Sequence, residues 1–136
     1  MTVPSPLAAS ALVFAGGGAG ALLRYQTGRA MTHLLGPATM TAFPWATLAV
    51  NVIGSLAMGL VAGALAKGGG AGGGETLRLL VGVGLLGGFT TFSAFSLELM
   101  LLIERGSAGT AVAYAAISVL AGLTGLYIGL IAMRLA

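Results

Sequence analysis

The chain has no cysteine, which excludes disulfides, zinc–thiolate sites and thiol catalysis. It is also nearly without charge: charged residues make up 7% of its 136 residues, against roughly 25% in a soluble domain. Six Lys/Arg, three Glu and one His could not cover the surface of a soluble fold of this size. The net charge of +3 is small and dispersed, which leaves no footprint for nucleic acid. What fills the chain instead is apolar: 57% is AVILMFWYC, and 24 glycines bring the apolar-plus-glycine share to about three quarters. The solvent for most of this protein is lipid. A span needs ~20 apolar residues, so the length fits an all-α integral membrane protein of four transmembrane helices in a single domain, 1–136. The spans are expected at roughly 7–28, 44–66, 77–103 and 109–133. The N-terminus, Met1-Thr-Val-Pro-Ser-Pro6, carries no Lys or Arg, which argues against a cleaved signal peptide; the first apolar stretch is expected to remain as a span. Tyr25, Trp45 and Tyr127 fall near span ends, where amphipathic rings favour the interface. Residues 67–75 read as a flexible glycine linker and 104–108 as a tight turn.

Lys67, Arg78 and Arg134 fall on the side of both termini, and Arg24, Arg29 and Arg105 on the other. The bias that normally orients a membrane protein is therefore absent. Either the chain inserts both ways up and the two orientations pair as an antiparallel dimer, or another factor orients it; four small helices enclose little alone, which favours the dimer. Gly16/Gly20, Ser55/Gly59/Gly63, Gly84/Gly88 and Gly125/Gly129 place small residues four apart, a pattern that lets helix backbones approach in a bilayer, and all are read as packing.

Few residues could carry chemistry. Gly16-x-Gly18-x-x-Ala21 lacks the preceding strand and the acidic residue of a dinucleotide fingerprint. His33, without an acidic neighbour, reads as a solvated loop residue, and no metal cluster or triad can be assembled, so the chain is not expected to be an enzyme. The informative stretch is Gly87-Gly-Phe-Thr-Thr-Phe-Ser-Ala-Phe-Ser96, mid-span and poor in helix formers. It allows a break in the third helix that turns carbonyls inward, or a packing groove whose hydroxyls bond carbonyls one turn back. Phe92 and Phe95 share a helix face, and their positive ring edges could contact a small anion, although core or lipid packing is the commoner role. Asn51 is a mid-membrane amide, either interhelical glue or a donor to an anion. Tyr114 and Ser118 form a polar stripe on span four. Glu98 is the one acid deep enough to raise a functional question, and it could equally snorkel or pair with an Arg. Asn51, Thr91, Ser93, Ser96, Tyr114 and Ser118 together offer many protons with few fixed charges, which suits passage of a small ion.

On these residues the chain resembles the CrcB/Fluc family of fluoride channels over essentially its whole length. The motifs are Gly16-Gly-Gly-Ala-Gly-Ala-Leu-Leu-Arg-Tyr25, Thr47-Leu-Ala-Val-Asn-Val-Ile-Gly-Ser55 and the Gly87–Ser96 stretch, in that order. The resemblance implies an antiparallel, dual-topology homodimer in the inner membrane of a prokaryote. It implies two pores that export fluoride passively, and a structural sodium ion held on the dimer axis by the backbone carbonyls of Gly87 and Thr90. It implies a fluoride pore of Phe92, Phe95, Asn51, Thr91, Ser93, Tyr114 and Ser118, with Arg24 near a vestibule and Glu98 in a supporting place. Ala94 and Gly122 depart from the family pattern, each where a hydroxyl is usual, and water would fill the place at Gly122. Two other functions fit the residues less well. A small multidrug-type proton-coupled exporter needs a carboxylate in span one, where residues 7–28 have only Arg24. A non-transporting assembly protein would leave the interior Asn, Phe pair and hydroxyls unexplained.

Overall fold

The computed structural model describes residues 4–68 and 74–136. Among them, four helices are long and apolar enough to cross a bilayer: Pro6–Leu35, Trp45–Lys67, Gly74–Glu104 and Ala108–Leu135. Residues 69–73, most of the expected glycine linker, lie outside the described residues. Helix α1 (Pro6–Leu35) opens on a Ser5 cap with Pro at its first turn and runs on through Arg29 to Leu35. Gly36, at φ +80, turns the chain into the short α2 (Pro37–Ala42). The second span is α3 (Trp45–Lys67). The third is composite: α4 (Gly74–Leu77), a wide π-helical stretch (Arg78–Leu86), α5 (Gly87–Phe89) and α6 (Phe92–Glu104). A turn at 105–107 with Gly106 at φ +77 leads into α7 (Ala108–Leu135).

The interior is built largely of glycine. Gly16 and Gly20 are the buried residues of α1, and Gly54, Gly59, Gly63, Gly125 and Gly129 are buried on α3 and α7. A hydrophobic effect cannot drive helices together in lipid, so close van der Waals approach must. Two seams result. The first half of span three lies on α1: a Cβ on Gly20 would strike the Leu85 carbonyl, and one on Gly88 would come within 3.0 Å of the Gly17 Cα. In the second seam α3 lies on α7, where side chains on Gly59 or Gly129 would strike the carbonyls of Leu126 or Leu56. Large apolar side chains point outward, with Phe14 84%, Val112 70% and Leu120 65% exposed, as lipid requires.

The break in span three falls at Thr90 and Thr91, both extended (φ −78, ψ 158 and φ −151, ψ 121). It does not fall at the glycines, which stay helical in α5. The reason is packing: Gly88 is needed small against Gly17, whereas adjacent β-branched threonines favour extended backbone. Gly54 of α3 admits the break, since a Cβ there would overlap the Thr90 methyl.

Candidate functional site

At Thr90–Thr91 the helical hydrogen-bond ladder fails and other groups take it over. In an unbroken helix the Thr91 N–H would bond the Gly87 carbonyl. Here it donates to Asn51 Oδ1 at 2.8 Å, and Asn51 Nδ2 donates back to the Thr91 carbonyl at 3.1 Å. Likewise the Ala94 N–H, which would bond the Thr90 carbonyl, donates to Thr91 Oγ1 at 3.2 Å and caps α6. Arg24 Nη1 of α1 donates to the freed Thr90 carbonyl at 3.1 Å. The two carbonyls that the resemblance assigns to sodium are thus two whose helical donors are diverted. Such carbonyls are hard oxygen ligands and fit a hard cation, with one lone pair on Thr90 already engaged by Arg24. Both structures weighed for this stretch occur together, since Thr90 Oγ1 and Ser96 Oγ also donate to carbonyls four residues back, at 2.8 and 2.9 Å.

A groove of about 340 Å³ opens beside the break. It brings together Asn51, Thr91, Phe92, Phe95 and Ser118, along with Ser55 of α3. The Phe92 and Phe95 ring centroids lie 5.8 Å apart. Phe92 is 79% exposed, so its ring stands at the open side of the groove. Among the described residues, Ser118 Oγ is buried without a hydrogen-bond partner. In a low-dielectric interior an unpaired hydroxyl is costly, and it marks a place where something else bonds. Asn51 spends one amide proton on Thr91 and keeps the other. Ser93 stands aside from the groove, its hydroxyl 3.4 Å from Thr91 Oγ1.

Tyr114 is fully buried and does not line the groove; it links the groove to Glu98. Its ring packs on Phe95 at 5.1 Å and edge-on to Phe43 at 5.4 Å. Its hydroxyl donates to Glu98 Oε2 at 2.8 Å, while Thr47 Oγ1 donates to Oε1 at 2.7 Å. Among the described residues Glu98 therefore pairs with two hydroxyls and not with an Arg. The one ion pair among the described residues is Arg78 with Glu75, at 2.7 Å on the surface. Below Glu98 a smaller cleft reaches Arg105, whose Nη1 donates to the Thr41 carbonyl. Arg24 also borders an open depression of about 1080 Å³ with Tyr25, Arg29 and His33. Its guanidinium is turned to the break.

Sequence reasoning missed two members of this site. Thr47 lies inside the second motif, but its partner is 51 residues away in the chain. Ser55 sat in a row of small residues four apart, where spacing does not tell a seam from a groove.

The arrangement defines a class: a multi-pass helical membrane protein with a polar groove walled by phenylalanines beside a break in one span. Residues 11–130 match the family model described as CrcB-like protein, Camphor Resistance (CrcB). A protein of Novosphingobium aromaticivorans named fluoride-specific ion channel FluC is 58% identical over 128 residues, covering 94% of this chain and 98% of that one. A protein of the same name from Erythrobacter litoralis is 50% identical over 135 residues, covering 99% and 98%. The chain belongs to the CrcB family, whose relatives found here are named as ion channels and not as enzymes.

Proposed function

We propose that this protein is a fluoride-selective ion channel through which cytoplasmic fluoride leaves passively, lowering its toxicity. The observation that carries the reading is the groove at the break, where Phe92, Phe95, Asn51 and the unpartnered Ser118 hydroxyl meet. Relatives named as fluoride-specific channels support it. Fluoride enters cells as the neutral weak acid, dissociates and is trapped, and a passive path lets it run down its gradient. It is small and a strong hydrogen-bond acceptor, so successive hydroxyl and amide protons replace its hydration shell. Phenylalanine edges bear the positive end of the ring quadrupole and add contacts without a fixed charge that would hold the ion. Thr91 serves one end of this path with Ser93 beside it, and Tyr114 backs the Phe95 wall and ties it to Glu98. Arg24 raises the local potential for an anion and fixes the break.

The channel works as an antiparallel, dual-topology homodimer within the bilayer. The near balance of Lys and Arg supports that pairing, and so does the groove, which lacks a wall that a second copy would provide. A structural sodium ion, not transported, is held by the carbonyls of Gly87 and Thr90. When bound it supplies positive charge beside the path and offsets the exposure of the broken backbone.

The test uses liposomes loaded with potassium fluoride, with valinomycin and an external fluoride electrode. Rapid release is expected, with none from chloride-loaded vesicles and much less from Phe92→Ile. Release of chloride as fast as fluoride would overturn the selectivity, and no release from well-inserted protein would overturn the channel.

A further inference from the structure

The inference rests on the fluoride reading and adds a residue to its path. On the groove side of α7, Ser118 is followed four residues later by Gly122, a rise of about 6 Å. Gly122 offers no side chain there. The space is reached from the facing helix instead: a Cβ built on Gly122 would stand 3.4 Å from Ser55 Oγ of α3. Ser55 lies four residues after Asn51, on the same helix face, and lines the same groove. Its hydroxyl, like that of Ser118 across the groove, is not spent on its own helix. Thr27, Thr32, Thr90 and Ser96 each donate to the carbonyl four residues back. Among the described residues no protein group is hydrogen-bonded to Ser55 Oγ.

We propose that Ser55 is an anion-binding residue of the fluoride path, presenting its hydroxyl across the α3–α7 seam at the level that Gly122 leaves bare. Ser118 and Ser55, from opposite helices, then offer two unspent protons in succession, beside the spare amide proton of Asn51. The row Ser55/Gly59/Gly63 divides accordingly. Gly59 and Gly63 press on α7, with Met133 Cβ 2.6 Å from a Cβ at Gly63, and are packing residues. Ser55, at the end of the row, faces the groove.

The experiment is fluoride efflux from proteoliposomes for wild type, Ser55→Ala, Gly122→Ser and the double variant. Ser55→Ala shortens the side chain without crowding any neighbour, and should slow release about tenfold, the worth of one hydrogen bond to a charged partner. Gly122→Ser restores a hydroxyl to the same place from the other helix, so the double variant should recover most of the rate. A packing role for Ser55 would not be rescued this way. Ser55→Ala at the wild-type rate, or a loss that Gly122→Ser does not restore, would overturn the assignment while the channel stands. Wild-type vesicles that release no fluoride would overturn the channel and the assignment with it.

Discussion

Replacing Asn51 by Ala removes both halves of the clamp on the broken helix at once. The Thr91 N–H loses its acceptor at 2.8 Å and the Thr91 carbonyl loses its donor at 3.1 Å. A buried backbone group left unpaired costs about 1–3 kcal/mol, so the pair is worth about 2–6 kcal/mol where nothing replaces the amide. The groove beside Thr91 is roomy and polar enough to admit water, which repairs part of the loss and places the expectation near the lower end, about 2–3 kcal/mol. Ser96→Ala is the control. Its hydroxyl bonds only the Phe92 carbonyl of its own helix, so it should cost under about 1 kcal/mol. Unfolding in mixed micelles with a denaturing detergent, followed by the fluorescence of Trp45, the chain's single tryptophan, gives both values. Asn51→Asp keeps the acceptor for the Thr91 N–H but sets a carboxylate oxygen against the Thr91 carbonyl, and should fare no better than Ala. Equal stability of Asn51→Ala and Ser96→Ala would refute the clamp.

Two further expectations follow from packing and from the half-buried Glu98 carboxyl group. Gly20→Ala must push α1 away from the Leu85 carbonyl and the Phe89 N–H, at 2.8 Å, and should cost about 1–3 kcal/mol, whereas Gly18→Ala meets nothing within 4 Å and should be neutral or stabilising. Detergent unfolding of the two variants side by side checks this, and a harmless Gly20→Ala would refute the seam. Tyr114→Phe keeps the ring contacts with Phe95 and Phe43 but removes one hydroxyl from Glu98, and should cost about 1.5–3 kcal/mol. Thr47→Val removes the other hydroxyl, and the double variant should show non-additive losses in the same assay, because both hydroxyls bond one carboxyl group.

The spans could be read from the sequence because lipid imposes a simple demand: long apolar runs with few charges. The anomaly in span three was equally visible, since Gly-Gly followed by Thr-Thr suits no regular helix. Its site was less so. Glycine signals both helix breaking and close approach, and only the Gly17 backbone lying against Gly88 decides between them. Nothing in Arg78–Leu86 marks a wide helix, because its residues suit an α-helix as well. The bonds that organise the centre were also hidden. Arg24 meets Thr90, Asn51 meets Thr91 and Thr47 meets Glu98 across 40 to 66 residues of chain, and a single sequence records who is polar but not who is opposite.

The break, the seams and the groove require one another. Span three must lie on α1 along its first half, where Gly84 and Gly88 fit against Gly16 and Gly17, and must bring α6 to α7 along its second, where Phe95 meets Tyr114. A straight helix cannot follow α1 closely and then depart from it, so the chain changes direction between Phe89 and Phe92. At that point backbone groups are stripped of their helical partners in the middle of the bilayer, where each would cost several kcal/mol unmet. The groups that meet them come from the neighbouring helices, Arg24 from α1 and Asn51 from α3. Where α6 diverges, the gap against α3 and α7 becomes the groove, and among the described residues the hydroxyls of Ser118 and Ser55 at its edge are bonded to no protein group. Polarity that a membrane protein must bring into lipid to bend one helix is thereby gathered at one depth, beside two phenylalanines, and an ion can use what the fold leaves unspent.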